Sequence, residues 1–401
     1  MITLNNIIEA KKRLDKVVYN TPLAFAPTLS DKLNANIYLK KENLQLTGSF
    51  KLRGAFNKIS LLNDEEKNAG VVAASAGNHA QGVAFSAKYY NINATIIMPE
   101  TTPLTKVSGV RSYGAEVILH GANYDEAYLF ATNYAKETNK TFIHPFADDD
   151  VIAGQGTIAL EIFEQLDNID TIVIPIGGGG LIAGMATAIK ELKPEIKIIG
   201  VVASGANAMK KSFEAKTPID SISVKTIADG IAVRDVTARM LNYSLKLVDE
   251  IVEVEDKEIA SAILFLLERQ KIVVEGAGAA PLAAIMHKKF DIENKTIVAP
   301  LSGGNIDVTM LSVIIEKGLV KSNRKMNMVV TLVDKPGSLM ELTKIFNKTG
   351  ANIVQIAYDR DSVQLDFGEA NVTIALETKG SEHQELIKSE LKINGYRFKE
   401  I

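Results

Sequence analysis

The sequence predicts an α/β protein. An open, twisted, mostly parallel sheet system spans about the first 315 residues, and a small ferredoxin-like βαββαβ module follows. Three observations predict it. Strand-like and helix-like runs alternate up to about residue 315, and such alternation stacks βα units into a mostly parallel sheet. The segments richest in chemistry fall just after strand-like runs, where open α/β sheets bind their ligands. Beyond a polar stretch at 317–327 the order of elements changes.

In chain order, residues 35–41 read as a strand. The segment Thr47-Gly48-Ser49-Phe50-Lys51-Leu52-Arg53-Gly54-Ala55 comes next. Ser49 is a candidate N-cap, and Leu52, Phe56 and Ile59 carry the helical period. Lys51 then falls in the first helical turn, where the dipole disfavours an ammonium and favours the neutral, nucleophilic amine. Such a lysine can form a Schiff base with an aldehyde cofactor. By itself the segment reads as an ordinary surface lysine; three further segments supply what such a cofactor needs.

Residues 70–74 are a buried-strand run, and Ser75-Ala76-Gly77-Asn78-His79-Ala80-Gln81-Gly82 opens a helix to about residue 89. Small residues and free N–H groups there suit a carboxylate. Asn78 can donate to a ring oxygen, and His79 at such a turn more often fixes the loop than does chemistry. Residues 94–98 and 116–119 are further strands. Residues 171–176 are a β-branched strand, followed by Gly177-Gly178-Gly179-Gly180 and a helix from Leu181 to 192. Strand, glycine run and helix N-terminus together make an anion cradle suited to a single small phosphate. Residues 171–189 lack any charge and reach membrane-spanning length. Four adjacent glycines, each costing about 1 kcal/mol in a helix, argue instead for a buried strand–loop–helix. Residues 196–202 and 296–299 are strands, and the second leads into Leu301-Ser302-Gly303-Gly304-Asn305. The Ser302 hydroxyl can bond to a ring nitrogen; alone it reads as a helix cap.

After the polar stretch 317–327, with residues 321–327 read as a linker between a first domain 1–320 and a second 328–401, strand 328–333 leads through Asp334-Lys335-Pro336-Gly337-Ser338-Leu339 into a helix to about residue 348. Strands 352–358 and 369–377, a helix 381–392 and a strand 397–401 complete a βαββαβ order.

Taken together, Lys41-Glu42-Asn43, the Lys51 segment, Ser75 to His79, Ala153-Gly154-Gln155-Gly156-Thr157, the glycine tetrad and Thr226-Ile227-Ala228-Asp229-Gly230 resemble fold type II of the pyridoxal-phosphate enzymes. The likeness is greatest to the threonine dehydratase (threonine ammonia-lyase) branch and covers about residues 5–320. It implies a smaller subdomain at about 48–149 facing a larger one across pyridoxal 5'-phosphate. It implies that Lys51 carries the cofactor, that Gly177, Gly178, Gly179, Gly180 and Leu181 hold its phosphate, and that Asn78 contacts the ring hydroxyl. It further implies that Ser302 bonds the pyridine nitrogen and that Ser75, Ala76, Gly77, Asn78 and His79 hold the substrate carboxylate. The implied reaction is deamination of L-threonine to 2-oxobutanoate and ammonia, with L-serine a side substrate. Serine racemases of this fold carry a serine where Ala76 stands. Racemisation needs a proton donor on each face of the carbanion, and Ala76 offers none. Those relatives also use a glutamate where Val202 stands, so no divalent metal site is expected; Glu275 reads as a structural carboxylate near the cofactor.

The C-terminal module resembles an ACT domain, an amino-acid sensor. Asp334, Gly337, Ser338 and Leu339 are its candidate effector-binding residues, and an oligomerisation domain without a ligand is the alternative. A serine-preferring dehydratase or related β-eliminase, and an amino-acid sensor on an inactive scaffold, are the competing functions. Intact Lys51, tetrad and Ser302 argue against the sensor.

Composition sets limits. The 401 residues are 46% hydrophobic and 23% charged, as expected of globular domains. A net charge of −3 gives no reason to expect nucleic acid or anionic membrane as a partner. Cysteine is absent, which excludes disulfides, thiolate metal sites and a cysteine nucleophile. Residues 1–14 lack a signal-peptide pattern, so a cytoplasmic enzyme is expected, as a homo-oligomer, dimer or tetramer.

Overall fold

Val71–Ala74 and Ala94–Met98 bury every residue. A strand with apolar side chains on both faces needs cover on both, the condition met by parallel sheets. These two pair in parallel within a four-stranded sheet ordered Glu116–Leu119, Ala94–Met98, Val71–Ala74, Thr141–Phe142. Thr171–Pro175 is equally buried and lies in a six-stranded sheet. Its order is Leu23–Phe25, Asn36–Lys40, Thr296–Pro300, Thr171–Pro175, Lys197–Ala203, Glu250–Val254, and within it Leu23–Phe25 alone runs antiparallel to its neighbour. The computed structural model describes residues 1–361 and 365–401. It divides into two units, 1–306, which holds both parallel sheets, and 307–401.

Three helices hold the chemistry together. Lys51–Ser60 and Gly180–Leu192 begin at the lysine and the glycine tetrad, and Asp149–Gln165 packs against both. The crossings are backbone to backbone. A Cβ on Gly154 would lie 2.5 Å from the carbonyl oxygen of Arg53 and 2.7 Å from Cα of Gly54. A Cβ on Gly156 would lie 2.8 Å from the carbonyl oxygen of Gly184. The Ala153–Thr157 motif is therefore a close-packing device that fixes the distance between Lys51 and the tetrad.

A buried charge cluster reinforces the first crossing. Arg53 has no exposed surface. Its Nε and Nη2 donate to Glu42 at 2.8 Å each, and its Nη1 and Nη2 donate to Glu161 at 2.5 and 2.9 Å. Lys40 Nζ donates to Glu161 at 2.6 Å. Two cations and two carboxylates balance, the arrangement in which buried charge is tolerated. Burial alone would raise the Glu42 carboxyl, but the Arg53 charge and hydrogen bonds outweigh it and hold it low.

The unit 307–401 is an antiparallel sheet ordered Asn352–Asp359, Glu369–Glu377, Lys325–Val333, Arg397–Glu400. Helices Ser338–Thr349 and Ser381–Ile393 bury Leu342, Phe346, Ile387 and Leu391 against Met328, Val330 and Ile374. This is the ferredoxin-like topology. The polar stretch 317–327 is not an open linker. Helix Val308–Lys321 runs through its first part and the strand begins at Lys325, because apolar residues such as Ile314 and Met326 are buried on either side.

Candidate active site

Lys51 is the first residue of its helix. The N-cap is Phe50, without a side-chain cap; Ser49 does not cap the helix. Ser49 is drawn instead into a bridge with Gly303, and Phe50 N donates to the Ser302 carbonyl at 3.0 Å. This tie anchors the lysine segment to the turn after strand Thr296–Pro300. Lys51 Nζ donates to the carbonyl of Pro145 at 3.1 Å. Burial pulls its ammonium down to about 8, and the charge of Glu275 only partly opposes the shift. Desolvation, which the linear sequence does not show, thus adds to the helix dipole in readying the amine to lose a proton.

The partner carbonyl sits in a turn, Ile143-His144-Pro145-Phe146-Ala147, that the sequence reading passed over. Two imidazoles shape it. His79 Nε2 bonds to the carbonyl of Ile143 at 2.8 Å, so its ring fixes this turn from beneath. His144 Nδ1 accepts from the N–H groups of Phe146 at 3.2 Å and Ala147 at 2.9 Å. Burial, with the nearby Lys51 charge, pushes His79 down to about 3. Burial, opposed by Asp148 and assisted by Lys51, pushes His144 down to about 4. Both rings are neutral and leave the proton traffic near them to Lys51.

Asn78 begins helix Asn78–Tyr89 and stands in a chain of amides. Its Nδ2 donates to Glu275 Oε1 at 2.7 Å, and its Oδ1 accepts from Asn305 Nδ2 at 2.6 Å. Asn305 Nδ2 also donates to the Thr47 carbonyl at 2.9 Å. Burial pushes Glu275 up to about 7, against the Asn78 hydrogen bond and the charge of Lys106. Asp229 of the 226–230 motif pairs with Lys106 at 3.5 Å. Neither Glu275's contact with Asn78 nor Asn305's place in the chain follows from spacing, since the partners lie 197 and 227 residues apart.

The glycine run lies between strand Thr171–Pro175 and helix Gly180–Leu192. Gly179 has φ +90, a left-handed conformation that glycine adopts without strain. A Cβ on Gly178 would lie 2.5 Å from Cγ of Phe146, and one on Gly177 would lie 2.9 Å from Cα of Ile231. Side chains are thereby excluded from a helix N-terminus whose first N–H groups lack intrahelical partners. Phe146 of the histidine turn walls the same loop, so Lys51 and the tetrad share one neighbour. Ser302 is buried behind strand Thr296–Pro300, and Ser75 follows strand Val71–Ala74. Buried hydroxyls without a hydrogen-bond partner, Thr47 Oγ1 and Ser49 Oγ, precede Lys51.

In the unit 307–401, Gly337 has φ +89 and caps helix Ser338–Thr349. The Asp334 carboxylate accepts from the Tyr358 hydroxyl at 3.0 Å and pairs with Arg360 at 3.3 Å. Of the turn's candidate groups, Ser338 N donates to the Lys335 carbonyl at 3.3 Å and the Gly337 carbonyl accepts from Glu341 N at 3.1 Å, while Asp334 already holds two partners.

The family described as pyridoxal-phosphate dependent enzyme matches residues 14–303. The chain is similar to L-threonine ammonia-lyase of Thermotoga maritima, 48% identical over 396 residues that cover 99% of this chain and 98% of that protein. It is also similar to the L-threonine dehydratase catabolic TdcB of Staphylococcus aureus, 47% identical over 323 residues, covering 80% of this chain and 93% of that protein. Among solved structures, the processed form of threonine deaminase isoform 2 from Solanum lycopersicum superposes with a TM-score of 0.75 at 40% identity, covering 78% of this chain and 87% of that one.

Proposed function

The chain belongs to the pyridoxal-phosphate dependent enzyme family, and on that premise we propose that it is an L-threonine ammonia-lyase, converting L-threonine to 2-oxobutanoate and ammonia. The observation that carries the reading is Lys51, an amine held at about 8 by burial and bonded to a backbone carbonyl rather than to a carboxylate. An ion-paired lysine would stay protonated; this one is poised to act as nucleophile and base near neutral pH.

The residues present fit the cofactor. A glycine run at a helix N-terminus offers N–H donors and no side chain to obstruct a phosphate. Asn78 retains a donor beyond those already used, and partnerless buried hydroxyls at Thr47 and Ser49 suit a polar ligand. When bound, pyridoxal phosphate supplies an aldehyde for the Lys51 amine and an electron sink for the substrate Cα. Gly177 to Leu181 hold the phosphate through their N–H groups. The N–H groups of Ser75 to His79 orient the substrate carboxylate. Lys51 Nζ takes the Cα proton. Ser302, buried behind its strand, would offer the ring nitrogen a neutral hydroxyl that does not hold it protonated as an aspartate would, which would favour loss of the β-hydroxyl over reprotonation. The water lost in elimination is regained when the released enamine hydrolyses to 2-oxo acid and ammonia.

L-Serine is proposed as a slower substrate. The unit 307–401 is proposed as an ACT domain that joins subunits and binds an amino-acid effector, isoleucine or valine, at the backbone around Gly337 to Leu339. The Staphylococcus aureus relative matches only 80% of this chain while being covered for 93% of its own length, which supports a catalytic part that works without that unit. The test is 2-oxo acid formation from threonine and serine, with borohydride reduction to locate the cofactor. Threonine is expected to turn over faster and the reduced adduct to fall on the Lys51 peptide. Faster pyruvate formation from serine would move the chain to a serine dehydratase, and an adduct on another lysine would overturn the site.

A further inference from the structure

The amide chain around Asn78 has a property that its individual contacts do not reveal. An asparagine side chain has a donor end and an acceptor end of nearly equal shape, so its function depends on which way it is turned. Here the direction is set at both ends, by the Glu275 carboxylate on one side and by the Thr47 carbonyl through Asn305 on the other. The Thr47 carbonyl can only accept, so the Asn305 atom 2.9 Å from it must be Nδ2. That same nitrogen lies 2.6 Å from Asn78, so the Asn78 atom facing it must be the acceptor Oδ1. The other end of Asn78 is therefore Nδ2, 2.7 Å from Glu275 Oε1. Asn305 spends both its N–H groups on these two acceptors, and Asn78 spends one and keeps one. Gly48 makes room for the device: it has φ +72, and a Cβ there would lie 2.6 Å from Asn305 Oδ1.

We propose that Asn305 is a positioning residue that fixes the direction of the Asn78 amide, so that its remaining N–H, not its carbonyl, is presented to the bound cofactor. This rests on the pyridoxal-phosphate reading above. The Thr47 carbonyl lies on the segment that carries Lys51, so the orientation of Asn78 is set relative to the cofactor-bearing lysine and not relative to the bulk of the fold. Asn305→Asp keeps the shape and removes both donors. The Asn78 amide then keeps only its tie to Glu275, a carboxylate oxygen faces its Oδ1 where a donor stood, and the repulsion turns the amide away from the direction that presents a donor to the ring oxygen.

The experiment compares wild type, Asn305→Asp, Asn78→Ala and the double variant, each reconstituted with pyridoxal phosphate. The readouts are the visible absorption band of the bound cofactor, its change with pH, and the cofactor dissociation constant, with kcat and KM for threonine measured alongside. Loss of one such hydrogen bond predicts about tenfold weaker cofactor binding, a displaced band, and a fall in kcat larger than the change in KM. The double variant should be no worse than Asn78→Ala, because Asn305 acts through Asn78. Asn305→Ser, which can serve one acceptor but not both, should fall between and keeps the test valid should the aspartate variant fold poorly. An unaltered band and cofactor affinity in both Asn305 variants, or losses that add in the double variant, would overturn the proposal. A wild-type protein that shows no cofactor band would instead overturn the reading on which it rests.

Discussion

At the scale of single residues, Lys51 and the two histidines below it divide the acid–base work by desolvation. All three lose charge on burial, but Lys51 settles at about 8, while His79 and His144 settle at about 3 and 4. Of these three only the lysine exchanges a proton near neutral pH, beside Glu275, which burial pushes up to about 7. The amine is the reactive form, so the rate at which apo-protein captures pyridoxal phosphate should climb with pH, reach half its maximum near 8 and level off above that. A lysine at its ordinary value of 10.5 would keep accelerating well beyond. Stopped-flow capture measured across this range decides between them, and a rate still rising at pH 9.5 to 10 would contradict the shift. Ala76 makes a second prediction at this scale. A hydroxyl placed there adds a proton donor in the carboxylate loop, so Ala76→Ser should raise racemisation of L-serine relative to its elimination. Chiral analysis of recovered serine beside pyruvate release reads that ratio, and an unchanged ratio would count against the two-face argument.

At the scale of elements, the site depends on how closely three helices approach. The Lys40, Glu42, Arg53 and Glu161 cluster ties strand Asn36–Lys40, helix Lys51–Ser60 and helix Asp149–Gln165 into one block. Glu161→Gln keeps the volume but leaves two buried cations sharing one carboxylate. Breaking a buried pair in this way costs about 3–5 kcal/mol. Thermal unfolding should show a clear drop in midpoint, and an unshifted midpoint would mean that the cluster relaxes around the loss. The glycine crossing makes a subtler prediction. A Cβ on Gly184 would lie 2.7 Å from the backbone nitrogen of Gly156, and overpacking of this kind costs about 1–3 kcal/mol. Because helix Gly180–Leu192 starts at the tetrad, Gly184→Ala should also loosen the phosphate site. Cofactor loss on dialysis, followed by absorbance, should be faster than in wild type.

At the scale of the whole molecule, the proposed chemistry and its proposed control fall in different units. Every residue assigned to the cofactor or the carboxylate lies within 1–306, and the candidate effector turn lies within 307–401. A chain ending at Asn323 should therefore keep elimination while losing its response to isoleucine or valine. An effector can shift a subunit equilibrium only by its differential affinity, and a coupling of about 1–3 kcal/mol is the ordinary range. Threonine saturation curves with and without effector, on both chains, test the division. A response that survives the truncation would place control in the catalytic unit.

What could be read from the sequence were the features encoded locally. The all-buried strands, the glycine tetrad, the lysine at a helix start and the βαββαβ order depend on residue type and short spacing, which a linear reading sees. The strand Thr171–Pro175 and the helix from Gly180 fall within one residue or so of where β-branching and glycine place them. Three kinds of feature escaped. Ser49 has the composition of a cap, yet pairing with Gly303 takes its backbone elsewhere. The polar stretch 317–327 looks like a linker, yet burial of scattered apolar side chains makes it helix and strand. The Ala153–Thr157 motif carries a family resemblance and no stated role, and only the packed helices show that its glycines serve helix crossings. The sequence by itself determined which groups the site contains. Only the tertiary structure decided their states: the desolvation that readies Lys51, the carbonyl of Pro145 that accepts its hydrogen bond, and the direction of the Asn78 amide. Each depends on atoms brought together from distant parts of the chain, and both dielectric and hydrogen-bond direction are properties of the assembled neighbourhood, not of the residue.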